Sequence, residues 1–409
     1  MINRKNVARY LFALLGGGVE ARERAEETGS DAWVFWPCAA FAMLLHAWLI
    51  LHERGLWGGA DLLPHLRLIE RMGEEPGFHN VYAPAYHALG ALLSPWIGLA
   101  SAPKLIALLS AAAYIAGFRF FQRSARLPAA CAALFALSPY GFSLSWCIPK
   151  TELAGFGLAF VGLGMLGRQR YVALALVLAL AFYVHTAAAI FLGLSGGVWA
   201  LASRDPRALA ALAAGTLGFA PLFAAHLAAG CTPAQAMMLS ENDYLRATAK
   251  WSSAAVWDVI AALASPPAVA LSLVGARSLA RRSAPLAVLC GVLFVLYLNE
   301  LWLAPLTMRT ALDLLRGLSV LAFVVAVAGG VALAEHRRAL PWLLGACALW
   351  AVASVVFFVP RSCHVREVGL DELRDLEVAR CSFSWRGPAI HPTLRPHPDA
   401  GAPADRPGG

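Results

Sequence analysis

Charge is scarce in this sequence: Asp, Glu, Lys and Arg make up 14% of its 409 residues, against about a quarter in a soluble chain. Together with a hydrophobic share of 59% and a mean hydropathy of +0.62, this excludes an ordinary water-soluble domain. Short alternating segments of the kind that build barrel strands are missing too. The apolar runs are continuous and rich in Ala and Leu, which leaves helices as the way to satisfy the backbone in lipid. No glycine-rich phosphate-binding motif and no internal repeat occur, and none of the eight cysteines has the spacing of a zinc site. The formal net charge of +8 does not indicate nucleic acid, because many of the arginines sit in short clusters between apolar runs, where they report topology.

The fold class that follows is all-α: a polytopic transmembrane helical bundle. The first apolar stretch, "YLFALLGGG", is short and runs into "EARERAEE", so it does not read as a cleaved signal peptide. The first span is expected near 33–52 and acts as an uncleaved anchor. Ten more are expected near 104–121, 127–141, 152–166, 171–184, 186–202, 208–228, 257–275, 284–299, 314–334 and 340–360, which makes about eleven in all. The apolar stretch 83–99 carries Pro84, His87 and Pro95 and is expected as an interfacial or re-entrant helix.

Loop charge supports that choice. With residues 1–32 in the cytoplasm, the inner loops hold Arg119, Arg123 and Arg126; Arg168 and Arg170; Arg204 and Arg207; Arg277, Arg281 and Arg282; and Arg337 and Arg338. Every inner loop is then short and basic, as the positive-inside rule requires. The first outer loop 53–103 and the tail 361–409 fall outside the cytoplasm. The end of the tail, rich in Pro, Gly and Ala, is expected to be disordered, and "DELRDLEVAR" within it suits one short helix. Cys363 and Cys381 lie outside, where a disulfide is permitted, and Cys147 with Cys231 is a second candidate bridge.

The polar residues of the outer loops carry the chemistry. Taken as a helix, 61–74 places Asp61, His65, Leu68 and Met72 on one side and Arg67, Glu70, Arg71 and Glu74 on another. Asp61 has two readings: an N-cap before "LLP", with Pro64 tolerated in the first turn, or a general base at the membrane face. His65 is either a satisfied structural histidine or a ligand-binding one. Tyr82 and Tyr86 suit a membrane interface, and Pro84 suits a helix start.

An Asp just after the first span, an "HLRLIE" helix, and the Tyr82-x-Pro84-x-Tyr86 entry to an apolar helix resemble the first outer loop of the GT-C glycosyltransferases. The segment 134–166, "LFALSPYGFSLSWCIPKTELAGFGLAFVGLGML", resembles the Ser-Pro-Tyr turn and Glu-bearing segment of GT-C-like bacterial and archaeal membrane proteins, and "FYVHTAAAIFLGL" (182–194) resembles their His-containing hairpin. The likeness covers roughly residues 33–200. Two departures stand out: many such enzymes pair acidic residues in the first loop, where this chain has Asp61 alone, and their Tyr-Pro-Pro start reads Tyr82-Ala83-Pro84 here.

The resemblance implies an integral-membrane enzyme that uses polyprenyl-phosphate sugars outside the cytoplasm, and the Ala- and Arg-rich usage points to a bacterial inner membrane. The acceptor would be a lipid, a glycan or a protein, and membrane lipids would be its surroundings. Asp61 would be the catalytic base. The departing phosphate needs cations nearby, and the outer side offers Lys150, Arg246, Lys250, Arg309 and Arg316. Arg309, Asp313 and Arg316 share a helix face. Glu152 and His185, at outer helix ends, join His65, Tyr82, Tyr86 and His87 as candidate substrate-binding residues. No cofactor is required by these residues, and a divalent metal is left open. Two rival functions stand beside this one: an outer-face polysaccharide polymerase or ligase, to which "EEPGF" (74–78) bears a faint similarity, and a lipid-linked-sugar flippase or transporter.

Overall fold

A computed structural model describes residues 32–52, 56–58, 62–75, 83–146, 151–236, 254–303, 317–358, 366–373, 377–378 and 385–386. Among these residues the architecture is a helical bundle with two small β-ribbons at its edge. The chain enters through α1 (Ala32–Leu51), then forms strand β1 (Leu56–Gly58) and helices α2 (Leu62–Glu74) and α3 (Ala85–Ile97). The bundle continues with α4 (Ser101–Ser124), α5 (Ala129–Ala136), α6 (Pro139–Trp146), α7 (Glu152–Gly167), α8 (Tyr171–Val184) and α9 (Thr186–Ala202). Next come α10 (Pro206–Thr216), a 3-10 turn, α11 (Ala220–Ala228) and the short α12 (Pro233–Ala236). The second half holds α13 (Ala254–Ala264), α14 (Pro266–Arg282), α15 (Ala284–Tyr297), α16 (Asn299–Trp302), α17 (Leu318–Glu335) and α18 (Leu340–Ala353).

Among the described residues five helices are long and apolar enough to cross a membrane: Trp33–Leu51, Ser101–Ser124, Pro206–Ala228, Leu318–Glu335 and Leu340–Phe357. Four more, α7, α8, α9 and α15, are apolar but shorter. The expected span 257–275 is not one straight helix. It divides at Ser265 (φ +57°), with α13 and α14 bent by 70°. The cause is local: Pro266 and Pro267 lack N–H groups and open α14, so no α-helical ladder passes through them. The carbonyl of Ala262 in the last turn of α13 is held instead by Trp350 Nε1 (2.9 Å) and Ser354 Oγ (2.8 Å). The expected span near 127–141 also breaks, between α5 and α6 at Leu137–Ser138. Leu137, Ser138, Ala264 and Ser265 from these two breaks line one small crevice with Ala322 and Val325 of α17.

Helix α17 is apolar on every side and is the most enclosed of the long helices, as such a helix must be. Small residues let its neighbours approach. A Cβ on Gly275 of α14 would lie 1.9 Å from the Ala328 carbonyl, and one on Gly117 of α4 would lie 2.2 Å from the Gly157 carbonyl of α7. Between these contacts Phe118, Phe121, Phe135, Phe160, Phe191 and Phe323 form one aromatic core.

The five arginine clusters lie at one end of the bundle. Three of the turns there share one construction. Arg126, Gln169 and Arg204 each take φ +55°, and the next residue donates its N–H back to the helix: Leu127 to Gln122 O, Arg170 to Met165 O and Asp205 to Ala200 O. At the opposite end β1 pairs antiparallel with β2 (Arg366–Val368), aligning Leu56 with Val368 and Gly58 with Arg366. The buried Leu373, from a 3-10 turn over Leu370–Leu373, packs with Ile50, Leu62, Leu63, Leu66 and Ala107. Residues 366–373 of the tail therefore pack onto the first loop. The described part of "DELRDLEVAR" is not one helix: it contributes that turn and strand β3 (Glu377–Val378), which pairs with β4 (Trp385–Arg386). Pairing with a second strand has replaced local helix propensity.

Candidate functional site

Helices α2 and α3 build the site. In α2 the spacing of Leu62, Leu63, Leu66 and Ile69 makes one buried stripe, with Pro64 tolerated in the first turn. The opposite face carries ion pairs of Arg67 with Glu70 and of Arg71 with Glu75 (3.4 Å). Both pairs are solvent-accessible, so their contribution to stability is small. Helix α3 contains no charged residue and buries Tyr86, His87 and Gly90. Gly90 allows the two helices to touch, since a Cβ there would come within 2.6 Å of Ile69 Cδ1. Pro95 leaves the Ala91 carbonyl without its helical donor, and Ser94 Oγ donates to it at 3.3 Å. Gly98, at φ +85°, ends the helix.

The apolar contact encloses an imidazole pair. His65 Nδ1 and His87 Nε2 are 2.8 Å apart, and the rings are stacked, 10° from parallel with centroids at 5.0 Å. The Tyr86 ring meets both edge-on, at 5.8 and 5.5 Å. One of the facing nitrogens must carry a hydrogen and the other must accept it, so the contact requires at least one neutral ring. His65 is 6% and His87 2% exposed. Burial, reinforced by the neighbouring His65, holds the His87 imidazole well below the ordinary histidine range, against an opposing hydrogen bond with the Ala83 backbone. The lowered His87 imidazole meets that requirement.

The structure thus unites His65, Tyr86 and His87, which the sequence presents as separate candidates. Asp61 and Tyr82 lie outside the described residues, as do Lys150, Arg246, Lys250, Arg309 and Arg316. In sequence, Asp61 immediately precedes α2. His185 and Glu152 form a second group at the adjoining ends of α9 and α7. His185 caps α9, its Nδ1 accepting from the Ala188 N–H at 3.3 Å, which leaves Nε2 to carry the ring hydrogen. Gly155 makes room for it, with a built Cβ only 2.4 Å from His185 Cβ. Glu152 opens α7 one turn earlier, and its Oε2 is buried without a hydrogen-bond partner among the described residues. Helix α3 touches α8, whose last residue precedes His185.

The buried polar residues that the sequence reading did not single out include His46, Asn299 and Glu300. His46, buried in α1, sits with Nδ1 2.7 Å from Ser145 Oγ of α6 and its ring beside Phe142. Asn299 and Glu300, just past α15, are also fully buried, Asn299 Nδ2 donating to Leu296 O at 2.7 Å. The signal for both was available: a lone polar residue in an apolar run is costly unless partnered. Cys38, Cys131, Cys290 and Cys347 are free thiols, and Cys231, just beyond α11, is disulfide-bonded. Among the described residues no group of three or more His, Cys, Asp or Glu side chains is placed to hold a metal ion. No family model matches the sequence, and no curated protein matches it at a significant level.

Proposed function

We propose that this protein is a GT-C-type membrane glycosyltransferase that moves a sugar from a polyprenyl-phosphate donor to a lipid, glycan or protein acceptor on the extracytoplasmic face. The observation that carries the reading is the α2–α3 assembly: the first loop, where the GT-C resemblance puts its chemistry, packs into a defined unit around His65, Tyr86 and His87. That unit lies at the end of the bundle opposite the arginine turns. The disulfide at Cys231 supports an oxidising compartment on the same side, since α11 ends there.

In this reading Asp61 is the general base. It takes the proton of the acceptor hydroxyl as the acceptor oxygen bonds to the sugar carbon and the polyprenyl phosphate departs. Lys150, Arg309 and Arg316 are the cations assigned to the leaving phosphate. The hydrogen-bonded imidazole pair fixes α2 against α3, and so fixes the helix that begins directly after Asp61. Glu152, whose Oε2 is buried without a hydrogen-bond partner among the described residues, supplies an acceptor for sugar hydroxyls.

The test is transfer from radiolabelled polyprenyl-phosphate sugars in proteoliposomes, comparing wild type with Asp61→Asn. Loss of transfer with an unchanged melting profile is the expected result, and full activity in the variant removes the role from Asp61. The two facing helix breaks favour one second reading, a lipid-linked-sugar flippase, because discontinuous helices commonly line transport sites. Movement of the lipid-linked sugar across the bilayer without transfer would select it.

A further inference from the structure

The hairpin of α8 and α9 is shorter than a bilayer is thick. Only His185 separates Val184, the last residue of α8, from Thr186, the first of α9, so no loop extends the hairpin beyond that tip. Helix α8 has 14 residues and α9 has 17. They reach about 21 and 25 Å, against a hydrocarbon core of roughly 30 Å. The opposite end of the hairpin is held at the arginine turns: Arg170 precedes α8, Arg204 lies just past α9, and the Tyr171 hydroxyl donates to Asp205 at 2.8 Å.

The neighbouring helix shows the missing length. Pro206–Ala228 starts from the same turn and runs for 23 residues, about 34 Å. It packs on α8 as far as Phe219, whose ring centroid lies 5.2 Å from that of Phe182, and a Cβ on Gly218 would lie 2.3 Å from Ala179 Cβ. Phe182 is in the last turn of α8, whereas α11 continues past Phe219 for 9 residues. Two helices that leave one turn together therefore end at different heights.

The surface of the hairpin is apolar almost to its tip. Leu176 and Leu180 of α8 and Ile190 and Leu194 of α9 are exposed, and no Asp, Glu, Lys or Arg occurs between Tyr171 and Ala202. The tip itself is polar, with Tyr183, His185 and Thr186. A short apolar segment can meet the headgroups through long cationic side chains at its ends or by thinning the bilayer. The tip residues offer no such side chain, and tilting would only shorten the reach.

We infer that the bilayer is thinned beside the α8–α9 hairpin, whose lipid-facing surface takes acyl chains over only about 21–25 Å, and that the headgroups of the leaflet opposite the arginine turns are drawn down to His185. Acyl chains are the occupant because the face is uncharged and lies between a basic end and a polar tip. Gly155 seats His185 against α7, so these headgroups stand close to the level at which α7 begins with Glu152. The inference stands without glycosyl transfer.

The test places a genetically encoded, environment-sensitive fluorescent amino acid at Ala187 or Tyr183, beside the tip, or at Val172, exposed near the arginine end of α8. The full chain is studied in dioleoyl phosphatidylcholine–phosphatidylglycerol proteoliposomes. Nitroxides near the headgroup should quench all three probes about twofold more strongly than nitroxides at the chain end, because both ends of the hairpin then meet a surface. Stronger quenching from the chain end at Ala187 and Tyr183 overturns the inference, because the tip is then immersed in a bilayer of full thickness. The same result at Val172 overturns it too, because the hairpin has then sunk from the arginine side. Protection of the tip probes from both quenchers also overturns it, because protein and not lipid then covers the tip. The two tip positions are read separately, so misfolding of one labelled variant leaves the other decisive. No outcome involves a transfer assay, so failure here is distinguishable from failure of the proposed activity.

Discussion

The two ends of this bundle are closed in different ways. At the arginine end, neighbouring helices are joined by tight turns whose contacts are local: Arg126, Gln169 and Arg204 adopt the same left-handed conformation and the same backbone hydrogen bond follows each. At the other end closure is long-range. The first loop meets the tail through β1 and β2, Leu373 fills a pocket among α1, α2 and α4, and two histidines from different helices share one hydrogen bond. A turn made from neighbours in sequence has one job, to reverse the chain. A closure made from distant segments creates enclosed polar groups, and those are what binding and catalysis need.

The comparison breaks most sharply through Asp61. If the loop end carries the chemistry, Asp61→Asn lowers transfer by about 100-fold or more, whereas Arg204→Ala at the opposite end leaves the turnover of purified protein unchanged. Parallel assays of the two variants measure the contrast directly. Next in size is the α2–α3 contact itself. Gly90→Leu forces a side chain into Ile69 and should destabilise this region by about 1–3 kcal/mol, seen as faster proteolysis or hydrogen exchange across α2 and α3 while the aromatic core stays protected.

The imidazole pair gives a pH signature. His87 is held below the ordinary histidine range when folded, so the unfolded chain binds the additional proton. Stability is full above the unfolded value of about 6.5 and falls as pH drops from there toward the folded value, by at most about 1.4 kcal/mol per pH unit for one proton. Melting in detergent between neutral and mildly acidic pH should show the loss, and His87→Gln should flatten it. The smallest effect belongs to the arginine end. Gln169 occupies a left-handed position at φ +55°, and Gln169→Gly should raise the stability of that turn by about 0.5 kcal/mol, readable as slower exchange of the neighbouring amides and as no change in transfer.

Much of the helix order was legible because apolar runs of this length have few alternatives in lipid. The division at Ser265 was misread although Pro266 and Pro267 signalled it; hydropathy over 257–275 outweighed a local stop. His65, Tyr86 and His87 were each recognisable as polar residues at a membrane edge. Their meeting was not, because a spacing of 22 residues across a loop says nothing about which ring faces which. His46 and Ser145, 99 residues apart, were invisible as a pair for the same reason. The short helix expected in the tail gave way to a strand because its partner, β4, is chosen by tertiary pairing and not by propensity.

By itself, then, the sequence determined that this chain is an apolar helical protein suited to a membrane, and it marked which helix ends carry arginine. Both properties are sums over many residues, and each residue contributes its own hydropathy or charge wherever its neighbours lie. Only the tertiary structure decided that two imidazoles share a hydrogen bond between α2 and α3, that residues 366–373 pack on the first loop, and that two helix breaks meet beside α17. Those features depend on the relative placement of distant segments, which packing settles through the fit of particular surfaces such as Gly90 on Ile69 and Gly275 on Ala328.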